Sequence, residues 1–332
     1  MPPLLLFGSV LVAAALVRVD RHALSPGALR LATELVEIRD VPVYRDHGDI
    51  GFLTVDVHRL SVLEEAVARL SPDVEIVDSE VILGGLTPEQ NRRVNLEAMQ
   101  MSQQVAAAVA LRVLGHDVVR DAGVFVAEVD PDGPTAGRLK PGETIVNVGR
   151  RTIRRWEELV DEIARRQPGD VVTLTVGDTS GKRRTVRVKL AARPDEPSRG
   201  FLGIAGQTLP DIDLPFELNV SSGNIGGPSG GLAFTLAMID MLTPGDLTGG
   251  HKIAATGVIR LDGSVGEVGG VREKSIVARQ SGADVLLVPK SEVGEVPRKW
   301  SPEHVHGVSD VKEALALLAE LGGDPVPNVE ED

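Results

Sequence analysis

Two glycine-rich turns that run straight into helices constrain this chain more than anything else in it. The first is Asn224-Ile225-Gly226-Gly227-Pro228-Ser229-Gly230-Gly231-Leu232-Ala233-Phe234-Thr235-Leu236-Ala237. Its second half predicts an apolar helix, because Leu232, Leu236 and Ile239 recur at spacings of four and three. Ser229 therefore stands at a helix start, where unpaired N–H groups and the positive end of the macrodipole favour negative charge. Gly227, Pro228 and Gly230 support it, the glycines by leaving the backbone bare enough for a carbonyl to approach. Three uses fit such a serine: a helix cap, part of a phosphate-receiving loop, or a nucleophile beside amides that take up an oxyanion.

The second turn narrows the choice. Residues 257–270 read as strand, turn, strand and a closing glycine pair, and Val271 to Arg279 predicts a helix. Lys274 in its first turn is poorly placed for the helix dipole, and Ile276, Val277 and Ala278 beside it are apolar. A lysine pressed toward a buried site there has a lowered pKa and works as a general base. A surface lysine is the ordinary alternative.

Composition removes several function classes. The chain has 332 residues, a net charge of −13, 3% aromatics and no cysteine. An acidic chain poor in aromatics lacks the basic surface and stacking platforms that nucleic acids select. Without cysteine there is no disulfide, thiolate site or cysteine nucleophile. The seven histidines are scattered with no HExxH spacing, so neither a catalytic metal nor a cofactor is expected. His251 reads as a surface residue without a role.

From Pro2 to Val17 no side chain is charged, and the run is strongly apolar. It falls short of the ~20 residues that span a bilayer comfortably. Three readings fit it: a membrane anchor over residues 1–19, which is preferred, a cleaved signal peptide, or a buried helix. No basic residue precedes it to set its direction. Residues 20–114 predict strands at Leu35–Ile38 and Phe52–Val57 and an amphipathic helix over Ser61–Leu70, with Val62, Leu63, Ala66, Val67 and Leu70 on one face. A long helix follows from Thr87 to Leu114, with Thr87 as N-cap, Pro88 behind it and Gln90 closing a capping box. Asn91 to Asn95 reads as a solvated face. The role of this region as a whole is not legible from its residues.

Residues 115–193 alternate strands, turns and one helix: G-V-F-V-A-E-V, then D-G-P-T-A-G-R-L-K-P-G-E-T-I-V-N-V, a helix from Trp156 with Leu159, Val160 and Ile163 inward, then P-G-D-V-V-T-L-T-V. This order resembles the PDZ domains of bacterial proteases, although Glu143 stands where that family has Asp. The resemblance implies a peptide-binding domain with a carboxylate-receiving loop near Asp121, Ala122, Gly123 and Val124. Arg193 to Gly200 is a polar linker, and residues 322–332 read as a disordered tail.

Over residues 200–321 four blocks recur in order: G-G-P-S-G-G with its helix, T-P-G-D-L-T-G-G, A-A-T-G-V-I-R-L-D-G-S-V and G-G-V-R-E-K. They resemble the proteolytic domain of the Lon family. The resemblance implies Ser229 as nucleophile, Lys274 as base, Thr256 orienting the lysine, and an oxyanion hole at the Ser229 N–H and a neighbour. It also implies self-association, with six-membered rings as the family pattern. The turn further resembles the phosphate loop of the galactokinase–mevalonate kinase group, but no second phosphate-handling motif accompanies it. No GxxxxGK[ST] occurs, so ATP-independent cleavage of unfolded or membrane-released polypeptides is expected. The expected fold class is a multidomain α/β (α+β) chain: a transmembrane helix, a PDZ-like β-domain with helices, and a Lon-type α/β domain. The resemblance to membrane-anchored PDZ–Lon-like proteins implies a single-pass chain whose catalytic domain is extracytoplasmic. The alternative is a catalytically silent, membrane-anchored peptide-binding scaffold.

Overall fold

A computed structural model describes residues 12–44, 48–178, 182–193, 196–298, 300 and 302–327. They form two compact units: residues 1–118 with 214–332, and Val119–Asp213.

The first half of unit 1 begins with β1 (Arg18–Leu31), α1 (Ala32–Leu35), β2 (Val36–Arg39) and β3 (Ile50–Ser61). Next come α2 (Val62–Ala68), β4 (Glu75–Asp78), α3 (Ser79–Leu83) and α4 (Pro88–Val113). The Thr87 hydroxyl accepts from Gln90 N, and the Gln90 side chain accepts from Thr87 N, so α4 starts on the expected capping box. The α2 helix is capped by Ser61 and Glu64, but its expected apolar face is not buried: Val62, Val67 and Leu70 are exposed.

Unit 2 carries β5 (Val119–Val129), β6 (Thr144–Val148), β7 (Arg151–Thr152), α5 (Trp156–Ala164), β8 (Val171–Gly177) and β9 (Arg183–Lys189). It ends with β10 (Ala191–Ala192), β11 (Gly200–Phe201) and β12 (Ile204–Ile212). Its main sheet runs β12-β5-β6-β8-β9, so β12 is an edge strand. Val124, Ile145, Leu174, Val188 and Leu159 form its core. The Glu143 carboxylate holds the Arg184 guanidinium at 2.7 Å and accepts from Lys140 N.

The chain then returns to unit 1 with β13 (Glu217–Val220), α6 (Gly231–Leu242), β14 (Ile253–Ala255), β15 (Val258–Ile259) and β16 (Val265–Gly266). It closes with α7 (Val271–Gln280), β17 (Val285–Pro289), β18 (Val305–Val308) and α8 (Val311–Glu320). One six-stranded sheet, β18-β17-β14-β3-β1-β4, joins both halves of the unit. Its β14 lies parallel to both β17 and β3. The α6 helix is apolar on nearly every side, as an enclosed helix must be, and its two polar side chains, Thr235 and Asp240, are buried with hydrogen-bond partners. It packs on the sheet through the Phe52–Phe234 ring pair, 5.1 Å apart, and on α4.

This division differs from the one read along the sequence. Residues 20–114 share the sheet and core of residues 214–321, because β14 and β17 alone are too short to bury α6. Residues 200–213 belong to unit 2, where β11 pairs with β10 and β12 with β5. The expected anchor falls largely on residues 1–11, outside the described residues, and β1 already begins at Arg18. Among the described residues no helix is long and apolar enough to cross a membrane. Of the expected disordered tail, residues 328–332 lie outside the described residues, whereas Gly323 N donates to Leu318 O and Asp324 accepts from Asp246 N.

The T-P-G-D-L-T-G-G block is a loop organised by Asp246. Its carboxylate accepts from Thr248 N, Thr248 Oγ1, Gly250 N and Gly48 N. Burial opposes its charge, yet these hydrogen bonds hold its carboxyl below the usual range. Removing a carboxylate with several backbone partners costs on the order of 2–3 kcal/mol. Asp246→Ala is therefore expected to lower the urea midpoint of unit 1, and an unchanged midpoint would show that the loop is held by other means.

Candidate active site

The Ser229 turn is set by its glycines and by α4. Gly227 has φ +91°, a conformation that strains any side chain. Its N–H donates to Asn95 O at 2.8 Å, and a Cβ on Gly226 would come within 2.9 Å of Asn95 Cβ. Ser102 Oγ donates to Pro228 O at 3.0 Å. Pro228–Gly230 form a single 3-10 turn that feeds α6. Asn95 lies in the stretch expected to be a solvated face; instead it anchors this turn.

Ser229 is half-buried. Its carbonyl accepts from Gly257 N at 2.9 Å and from the Thr256 hydroxyl at 3.2 Å. Thr256, directly after β14, is fully buried, and its Oγ1 in turn accepts from Lys274 Nζ at 3.2 Å. One hydroxyl thus joins the Ser229 backbone to the Lys274 amine. Ser229 and Lys274 line the same cavity, about 520 Å³ in volume, together with Ala28, Met99, the β3 residues Phe52 to Asp56 and the turn from Asn224.

Lys274 sits in the first turn of α7 and is 4% exposed. Burial takes its pKa down from 10.5 to about 8; the Glu292 carboxylate pulls the other way. Glu292 is itself buried, accepts from Val268 N at 2.8 Å, and has its pKa raised by burial. Glu273 is also enclosed, its carboxyl oxygens have no hydrogen-bond partner among the described residues, and burial raises its pKa. Gly270 must be glycine on two counts: φ is +68°, and a Cβ would meet Val55 at 2.8 Å. His251 is half-buried and bonded to Leu321 O, away from the cavity lining.

β14 ends opposite Phe52. From Leu53 onward β3 keeps a strand partner only on its β1 side, and the open stretch begins beside the Ser229 cavity. Strand edges of this kind accept extended peptide.

In unit 2, Asp121 to Val124 do not form a loop. They lie inside β5, facing Pro210 to Thr208 of β12, and Val124 also faces Ile145 of β6. The backbone of Asp121, Gly123 and Val124 is paired in the sheet, with Ala122 at a register irregularity between them. The unit's groove is elsewhere: a cavity of about 340 Å³ lies between α5 (Trp156, Leu159, Val160, Ile163) and the stretch Gly200 to Ile204, at the start of edge strand β12. The signal was present in R-G-F-L-G-I, read along the sequence as the start of the next domain.

Residues 216–319 match the family model of the Lon protease (S16) C-terminal proteolytic domain. The chain therefore carries a Lon-type proteolytic domain. Residues 90–190 match the PDZ domain model, and the two together make this a PDZ–Lon-like chain. The PDZ match begins inside α4, which packs on α6 in unit 1; the compact body is Val119–Asp213.

The chain is 28% identical over 249 residues to Lon protease of Desulfatibacillum aliphaticivorans, covering 72% of this chain and 28% of that one. It is 27% identical over 278 residues to Lon protease 2 of Thermus thermophilus, covering 72% and 33%. The chain thus spans about a third of the length of these curated relatives. Among solved structures, the PDZ domain of an SdrC-like protein from Listeria monocytogenes is 26% identical, with 26% of this chain and 87% of that one covered and a TM-score of 0.24.

Proposed function

We propose that this chain is a serine endopeptidase that cleaves polypeptides without nucleotide, using Ser229 as nucleophile and Lys274 as base. The observation that carries the reading is an enclosed lysine with its pKa near 8, tied through Thr256 to the serine turn and sharing a cavity with it. An amine kept dry is neutral in a useful fraction of molecules near neutral pH, as a general base must be.

Neutral Lys274 accepts the hydroxyl proton as Ser229 Oγ bonds to the scissile carbonyl carbon. The carbonyl electron pair moves to oxygen, which the Ser229 N–H and its neighbour receive at the helix start. The lysine ammonium passes the proton to the amine nitrogen as the C–N bond breaks. Water then attacks the acyl-enzyme, gives its proton to Lys274, and returns the serine hydroxyl. Thr256 accepts one Nζ–H and so aims the nitrogen lone pair.

These 332 residues hold no GxxxxGK[ST] phosphate loop, and the substrates that suit them acting alone are polypeptides already unfolded, flexible or released from a membrane. The edge of β12 and the groove under α5 take the carboxyl end of such a chain. Residues 2–17 tether the protein to a membrane with the catalytic unit extracytoplasmic, and copies associate as Lon-type domains do, six to a ring. A serine-reactive peptidyl phosphonate added without nucleotide is expected to label Ser229, and a peptide boronate to block the label. A chain that binds peptide but stays unlabelled and leaves casein intact is a silent scaffold, and the proposal fails.

A further inference from the structure

We propose that the substrate cleft continues from the Ser229 cavity into a second cavity that holds an apolar and acidic segment of the same polypeptide, some five residues from the scissile bond. The inference rests on the peptidase reading and adds a distal specificity site to it.

Unit 1 contains a further cavity of about 690 Å³ that shares Asn224 and Gly226 with the Ser229 cavity. Strand β3 runs along both. Thr54 to Asp56 line the first, and Val57 and Arg59 line the second. At about 3.3 Å per residue, Thr54 to Arg59 covers about 16 Å, so an extended substrate beside this strand places its fifth or sixth residue in the second cavity. Along this stretch β3 pairs only with β1, which leaves its other edge free for that substrate.

The second cavity has a definite chemistry. Val57 is 47% exposed and Val81 of α3 is 73% exposed, although neither lies at a chain end or a loop tip. Two guanidinium groups stand among these apolar side chains. Arg92 donates to Asn224 Oδ1 at 2.8 Å and Arg59 to Val19 O at 2.9 Å, and neither makes an ion pair among the described residues. Asp20 is the acidic residue of the lining, and burial lowers the pKa of His22, which leaves that ring neutral. A site with exposed valines and two guanidiniums that carry no ion pair among the described residues selects apolar side chains alternating with Glu or Asp.

The test is equilibrium binding to the full chain carrying Ser229→Ala, so that it does not depend on turnover. Fluorescein-labelled peptides of about twelve residues span both cavities, and a C-terminal amide removes the carboxylate that a PDZ groove takes. One peptide carries Leu-Glu-Val-Glu at an end and its twin carries Ser-Lys-Ser-Lys, each made with the segment at the amino or the carboxyl end. In one of the two directions the apolar–acidic peptide is expected to bind about tenfold tighter than its twin. Val81→Glu and Arg92→Glu, both surface changes, are each expected to erase most of that difference while leaving the twin's affinity and the urea midpoint unchanged. Equal affinities for peptide and twin in both directions would overturn the site, as would variants that bind both peptides like the parent. Failure of phosphonate labelling would sink the peptidase reading without altering these affinities, so the two failures are told apart.

Discussion

Ser229→Ala is expected to lower casein and peptide hydrolysis by roughly 10⁴-fold or more while leaving the fold as it is. The two halves of this expectation come from different atoms of one residue. The fold uses the Ser229 carbonyl, which accepts from Gly257 N and Thr256 Oγ1, and alanine keeps that carbonyl. The reaction uses the hydroxyl of this cavity-lining residue, which makes no hydrogen bond to another side chain or backbone group among the described residues. The exchange removes one half-buried oxygen, so the urea midpoint should shift by no more than about 0.5 kcal/mol equivalent. Hydrolysis rates and urea midpoints on the same preparations check both halves. Retained hydrolysis in homogeneous Ser229→Ala protein would remove the nucleophile assignment, and with it the reading of the whole cavity as an active site. Loss of both activity and midpoint would mean that the hydroxyl is structural, which the geometry does not support.

Much of the site was legible because its backbone demands are severe. Gly227 and Gly270 adopt positive φ, and a Cβ at Gly226 or Gly270 would collide with Asn95 or Val55. Such positions leave their mark on the sequence as glycine, in a fixed order. The α4 capping box was legible for a similar reason, since Thr87, Pro88 and Gln90 each answer a local backbone need. What the residues could not disclose was partnership at long range. Four of the five residues from Asn91 to Asn95 are polar, and nothing local distinguishes a solvated turn of helix from one that holds a loop more than a hundred positions away. Strand β3 reads as a strand from Phe52 to Val57, but that it forms one wall of the Ser229 cavity depends on its parallel pairing with β14. The Ser61–Leu70 periodicity misled for the opposite reason, because a 3.6-residue pattern shows that an apolar face exists and not that anything covers it. Residues 200–213 were assigned by their place in the chain, whereas strand pairing with β5 assigns them to unit 2.

Lys274→Met is expected to abolish hydrolysis and at the same time to stabilise unit 1 at neutral pH. In the folded chain the amine titrates at about 8, against 10.5 for an ordinary lysine. Between those values the unfolded chain holds more protons than the folded one, so stability rises with pH across that window. Below pH 8 both states carry the charge, and the folded state bears the full cost of enclosing it, on the order of 3 kcal/mol for a difference of this size. Methionine fills similar volume without charge. It forgoes the hydrogen bond to Thr256, worth about 1 kcal/mol, so a net gain of about 2 kcal/mol at pH 7 is expected, shrinking toward pH 10. Trp300 packs against the cluster that contains Val271 and Val277 of α7, and its fluorescence in a Trp156→Phe background follows the transition of this unit. The parent's kcat/KM should rise about tenfold per pH unit below pH 8 and level off above it, because only neutral Lys274 accepts the serine proton. A flat profile from pH 6 to 9 together with an unstabilised Lys274→Met variant would show the amine to be neither strained nor basic. On the proposed reading, the enclosed amine that weakens the fold is the base that Ser229 needs, and its cost to stability is the counterpart of its lowered pKa.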